Sequence, residues 1–168
     1  MEETKVEEPI LPRLLASNAL RANLTKHMTL NQMADHKASM IMTAASLMLT
    51  ISVTQYDKLD LATFIVLMVT CALAILSSIF AIIPALHVKG VLNVFYFRSF
   101  AQVSEDEFKA AFKATIADRD ELYDAYLREI YYLGRHRLTH KYLWIRNGLC
   151  ALLIGLALAA LLTGMRFF

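Results

Sequence analysis

Three stretches of this chain, Ala38 to Tyr56, Leu61 to Leu86 and Asn147 to Met165, contain no Asp, Glu, Lys, Arg or His. A hydrocarbon core of about 30 Å is crossed by about 20 mostly apolar helical residues, so each stretch is long enough or nearly long enough to span a bilayer. A soluble globular reading is excluded, and the expected fold is an all-α integral membrane protein with three transmembrane helices. The same dearth of charge argues against a pump or secondary transporter, which needs ionisable groups at the midplane. Catalysis finds no support either. The sequence holds no Gly-rich phosphate loop, no Ser/His/Asp set and no carboxylate pair in an apolar run, so no enzyme is expected. Its two cysteines, Cys71 and Cys150, sit in or beside the apolar runs and provide neither a disulfide framework nor zinc spacing. They read as small buried hydrophobes, and neither a cofactor nor a metal is expected.

What is present agrees with a membrane protein. Hydrophobic residues make up 57% of the chain and charged residues 19%, against about 45–50% and 25% in soluble domains. One membrane domain accounts for the whole length. Residues 1–37 carry five basic residues (Lys5, Arg13, Arg21, Lys26, Lys37), the Asp57–Asp60 link carries only Lys58, and His87 to Arg146 carries ten. The positive-inside rule then predicts a cytoplasmic N-terminus, an outside turn, a cytoplasmic central segment and a C-terminus outside. The acidic N-terminus does not resemble a signal peptide.

The expected organisation is a loose tail over 1–12, a cytoplasmic helix over 13–37 continuous with a first crossing over 38–56, a second crossing over 61–86, a cytoplasmic helical segment over 87–146 and a third crossing over 147–165. Between Arg13 and Tyr56 there is neither Gly nor Pro, so one unbroken helix is expected, its part before Ala38 reaching roughly 37 Å at 1.5 Å per residue. The aromatic run Phe95, Tyr96, Phe97, Phe100 reads as an interfacial or packing segment. Ser104 and Glu107 have the spacing of a capping box, and Asp118 marks a second helix start. From there Leu122, Tyr126, Ile130 and Leu133 recur at helical spacing, and the helix is expected to run on into the third crossing. Two such helices form a stalk whose apolar stripes need each other or other copies.

Ser39, Thr43, Ser46, Thr50 and Thr54 share one face of the first crossing. They are either pore-facing in a homo-oligomer or hydroxyl contacts to helices and backbone carbonyls. Thr63, Thr70 and Ser77 recur every seven residues in the second crossing, and Ala151, Gly155, Ala159 and Thr163 form a small-residue stripe in the third. His136 and His140 share a helix face without a third metal ligand. Around them Arg135, Arg137, Lys141 and Arg146 form a basic band suited to lipid headgroups or to an anion.

Met33-Ala-Asp-His-Lys-Ala-Ser39, Asn93-Val-Phe-Tyr-Phe-Arg-Ser-Phe100, Glu121-Leu-Tyr123, Glu129-Ile-Tyr-Tyr-Leu-Gly134 and Lys141-Tyr142 resemble the Pycsar transmembrane effector family, from about residue 20 to the end. The resemblance implies an effector that answers cyclic CMP or cyclic UMP, made on phage infection, by compromising the inner membrane and halting growth. There is no separate cyclic-nucleotide domain, so the ligand is expected between cytoplasmic helices. A cyclic phosphate needs Arg, Lys or a helix N-terminus, and a pyrimidine needs an aromatic face and edge partners. Asn93, Arg98, Arg135, Arg137 and Lys141, with Tyr131 or Tyr132 for stacking, are the candidates. Asp35 and Lys37 are candidates for a gate or stalk contact. Expected partners are the lipid bilayer, other copies of the chain and the cyclic nucleotide, with no nucleic acid. A constitutive membrane scaffold binding a protein through its cytoplasmic helices is the alternative.

Overall fold

The computed structural model describes residues 10–83 and 92–165; the side chains of residues 10–13, 97 and 98 fall outside the described set. Its elements are helix α1 (Ile10–Thr54), a 3-10 turn (Tyr56–Lys58), α2 (Leu61–Ile82), the single turn α3 (Phe97–Phe100), α4 (Glu105–Ala117), α5 (Arg119–Tyr132), a π-helical turn (Leu133–Leu138) and α6 (Thr139–Met165). Among the described residues every regular element is helical. Three helical stretches, Leu14–Thr54, Leu61–Ile82 and Arg119–Met165, are long and apolar enough to cross a membrane. The protein is therefore all-α with three candidate spans.

Several boundaries differ from the expectation for physical reasons. Helix α1 already includes residues 10–12 of the expected loose tail, because Pro12 falls in its first turn, where a missing N–H costs nothing; residues 1–9 lie outside the described set. The 61–86 crossing becomes an α2 that closes at Ile82. Ile83 has φ −58° and ψ 121°, the extended geometry forced on a residue preceding proline, here Pro84. Residues 84–91 lie outside the described set. Between α5 and α6 the helix does not stay α-helical. A six-residue π turn intervenes around Gly134, where helix propensity is weak.

The chain divides into two compact units, Met1–Thr29 with His87–Gly134, and Leu30–Leu86 with Arg135–Phe168. In the second unit α2 and α6 pack closely, running antiparallel. A Cβ built on Gly148 would lie 3.2 Å from the Ser77 Cβ, and one on Gly155 would lie 2.6 Å from the Thr70 Cβ. Moving seven residues up α6 moves the contact seven residues down α2, so both helices present the same face every two turns. Small residues permit this spacing, which is how helices associate when lipid supplies no hydrophobic drive. Thr70 and Ser78 keep their hydroxyl bonds at home, donating to the Val66 and Ala74 carbonyls at 2.8 and 2.9 Å, so the contact needs no hydrogen bond across it. Helix α1 joins through Ala34, Ala38, Ile41 and Ala45, which form one core with Cys71, Ala74, Ala81, Ile145 and Leu152.

In the first unit the expected aromatic segment is a packing segment. Phe95 stacks on Tyr126 with ring centroids 4.8 Å apart and meets Phe112 edge-on at 6.3 Å. Tyr96 lies against Tyr132, and Phe100 against Phe108. Both helix starts read from the sequence are present. The Ser104 hydroxyl accepts from the Glu107 N–H while Glu107 accepts from the Ser104 N–H, and Asp118 accepts from the Asp120 and Glu121 N–H groups. The Ser104 N–H, and then its hydroxyl, hold the Glu107 carboxyl below the ordinary Glu range. The cap therefore contributes at neutral pH and weakens as the pH falls through the folded-state value.

The α2–α6 approach yields the first prediction. Gly155→Val places methyl groups where Thr70 already stands and should lower stability by about 1–3 kcal/mol. Gly164, with nothing within 4 Å of a built Cβ, should accept Val with little change. Denaturant titration of the detergent-solubilised protein reads both, and Thr70→Gly added to Gly155→Ala should recover most of the Gly155→Ala loss.

Candidate functional site

At the membrane-proximal end of α6 the second unit gathers charge against α1. Lys141 Nζ lies 2.5 Å from Asp35 Oδ1, with the lysine side chain 9% and the aspartate 41% exposed. Two residues further along α1, the Lys37 ammonium sits 5.5 Å from the Tyr142 ring centroid, a cation–π geometry. Asp35 and Lys37, expected as gate or stalk contacts, thus engage α6 of their own chain. A lysine this buried requires its carboxylate, since an unpaired buried ammonium costs several kcal/mol.

A cavity of about 190 Å³ opens beside the pair, lined among others by Asn31, His136, Arg137 and His140. The π turn supplies His136 and Arg137; such turns re-aim side chains and recur at functional sites. His140 Nε2 accepts from the Trp144 indole at 2.9 Å, which engages one of the two histidines expected on this face. The Asn31 Oδ1 is buried in the cavity wall and has no hydrogen-bond partner among the described residues. Asn31 was missed at the sequence level, although it stands four residues before Asp35, one turn along the same face.

Of the remaining ligand candidates, Asn93, Arg98, Tyr131 and Tyr132 belong to the first unit and Arg135 to the second. Asn93 is used internally at both ends of its side chain: Nδ2 donates to Glu129 Oε2 at 2.5 Å and Oδ1 accepts from the Phe95 N–H at 3.0 Å. Its own N–H donates to the Ser99 hydroxyl at 2.8 Å. Glu129 is 6% exposed, a buried carboxylate in a helix, α5, whose acidic residues otherwise alternate with arginines. Tyr131 and Arg135 are exposed, and Tyr132 is half-buried against Tyr96. The Arg98 side chain lies outside the described residues. Among the described residues, Arg137 and Lys141 of the expected set line one cavity together, and Asn93 lines another.

The hydroxyl face of α1 is placed by burial. Ser39, Thr43, Ser46, Thr50 and Thr54 are all exposed, while Ala34, Ala38, Ile41, Ala45 and Ser52 are buried. At about 100° per residue the two sets centre on roughly opposite sides of the helix. The hydroxyls therefore point away from the chain's own core. Thr50 and Thr54 donate to the Ser46 and Ile51 carbonyls, each at 2.9 Å.

The asymmetry of the ion pair is testable. Asp35→Ala strands a buried ammonium, whereas Lys141→Met leaves a carboxylate that can reach water. The first should cost about 2 kcal/mol or more, below the 3–5 kcal/mol of a fully buried pair because Asp35 is partly exposed, and the second distinctly less. Unfolding midpoints in detergent compare the two. The exchange Asp35→Lys with Lys141→Asp should recover part of the loss.

The described contacts place a pre-organised helical module and a three-span bundle on one chain, with ionic and aromatic residues concentrated outside the apolar runs. No curated protein and no solved structure matches the sequence. The family model described as the Pycsar effector protein domain matches residues 19–167, a range that takes in the Asp35–Lys141 pair, the Asn93–Glu129 bond and all three candidate spans. The chain belongs to the Pycsar effector family.

Proposed function

We propose that this protein is a non-enzymatic anti-phage effector of the bacterial inner membrane, which answers cyclic CMP or cyclic UMP by impairing the membrane and so arresting growth of the infected cell. The observation that carries the reading is the family match, which extends over the spans and the helical module together. The distribution of Lys and Arg supports a cytoplasmic N-terminus and central segment, the compartment in which a nucleotide signal would be met.

The hydroxyl face supports a homo-oligomer. A face holding Ser39, Thr43, Ser46, Thr50 and Thr54 has less to gain from lipid than from other copies of α1 or from water between them. In such an assembly the alanine face holds α1 to its own chain, and the hydroxyl face turns toward the opening.

Dye release from liposomes containing the purified protein tests the reading. Cyclic CMP or cyclic UMP should trigger release and cyclic AMP should not. Silence with both pyrimidine nucleotides, from inserted and folded protein, would remove nucleotide-gated permeabilisation. Thr43→Val with Thr50→Val should cut triggered release at least tenfold without changing insertion or helix content. Unchanged release would remove the pore-facing role of this stripe.

A further inference from the structure

His140 and Trp144 stand one turn apart on α6, and the Trp144 indole N–H donates to His140 Nε2 at 2.9 Å. An indole N–H can only donate, so the nitrogen that receives it carries no proton. The bond therefore exists only while the His140 imidazole is neutral, with its one ring hydrogen on Nδ1. Trp144 carries the contact to a second helix, because its ring lies against Phe80 of α2 with centroids 5.0 Å apart. His140 is exposed and Trp144 half-buried. A proton reaches the histidine from solvent, and the tryptophan passes the consequence to α2.

The charged groups facing His140 among the described residues come from α1, the π turn and α6. Asp35 of α1 shares its cavity, as do His136 and Arg137 of the π turn and Lys141 of α6, while the α2 side of that cavity, Ile82 and Ile83, is uncharged. Lys37, two residues beyond Asp35, is turned to the Tyr142 ring. Asp35 is already engaged by the buried Lys141. Protonation of His140 adds a cation beside Lys141 and Arg137, which oppose it, and converts Nε2 from acceptor to donor. The indole N–H then loses its acceptor, and the imidazolium competes with Lys141 for the Asp35 carboxylate. Acid thus acts on both contacts that hold this end of α6, the α2 side through Trp144 and the α1 side through Asp35.

We infer that His140 and Trp144 form an acid-sensitive latch that ties the charged end of α6 to α2. The latch is closed above the histidine titration, while the imidazole is neutral, and is released as the pH falls through it. It lies wholly within the second unit and does not depend on the proposed nucleotide response.

Trp144 is the one tryptophan of the chain, so its emission reads the latch without a label. In nanodiscs the wild-type emission should change in a one-proton step between about pH 8 and pH 5, the range in which imidazole changes charge. His140→Gln, which does not titrate, should abolish the step, and His136→Gln, in the same cavity, should keep it. Because a nearby charge alone alters indole emission, denaturant unfolding in detergent, followed by helix ellipticity, reads the hold itself. Acidification over the same range should lower the folding equilibrium constant of the wild type about two- to tenfold more than that of His140→Gln, as expected for one hydrogen bond. That difference should vanish when both proteins carry Trp144→Phe, which keeps a ring against Phe80 and removes the N–H. An emission step that survives His140→Gln, or equal acid sensitivity of unfolding with and without His140, would overturn the latch. Where His140→Gln does not fold, wild type against Trp144→Phe decides: greater acid sensitivity in the wild type supports the latch, and equal sensitivity overturns it.

Discussion

The close approach of α2 and α6 is the constraint on which the membrane unit depends. Lipid tails are as apolar as leucine, so helices gain nothing by hiding Leu or Ile from them and must be held by contact at short range. Here that contact occurs where Gly148 and Gly155 meet Ser77 and Thr70, and it repeats with the seven-residue period at which facing helices stay in register. Leu153, Leu156, Leu158 and Leu161 of α6 are correspondingly exposed, while Leu152 alone of its leucines joins the described core. The usual logic of a soluble core is inverted: small residues inside, large ones outside.

Helix α1 belongs to this bundle on different terms. Its alanines bring it close to α2 and α6, but its opposite side is studded with hydroxyls rather than leucines. An intrahelical bond from Thr50 to the Ser46 carbonyl lowers the cost of a hydroxyl in an apolar medium without removing it. Of the three spans, α1 is therefore the one most easily persuaded to exchange lipid for protein or water. The Asp35–Lys141 pair anchors that same helix to α6 just before the hydroxyl face begins. A buried ammonium that needs its carboxylate holds α1 in register, whatever the far side of the helix touches.

Much of this was legible in the residues because it depends on local rules. Uncharged runs mark spans, Ser104 with Glu107 and Asp118 with Glu121 mark helix starts, and a stretch without Gly or Pro predicts the long α1. The seven-residue spacing of Thr63, Thr70 and Ser77 and the small stripe through Gly155 both announced packing, though not that each is the other's partner. What escaped was tertiary. Glu129 alternates with arginines and reads as solvated, yet Asn93, 36 residues away, buries it with a hydrogen bond. The π turn also eluded the pattern, since Gly134 signals a weak point in a helix without saying whether the chain stops, kinks or widens there.

On the proposed reading, the distribution of chemistry limits how a signal can act. The apolar runs of the spans hold no Asp, Glu, Lys, Arg or His, so an anionic ligand finds no counter-charge there and must bind outside them. Helix α1 contributes residues to both units, and the stretch from α5 through the π turn to α6 does the same. A ligand held by the first unit would act on helical stretches that continue into the second. It can shift the state of the spans only by as much as it binds one arrangement better than another, and a near-complete switch from a 1:99 to a 99:1 population needs about 5.5 kcal/mol of such preference. Two charge-assisted phosphate contacts and a stacked ring are of the right order to supply it.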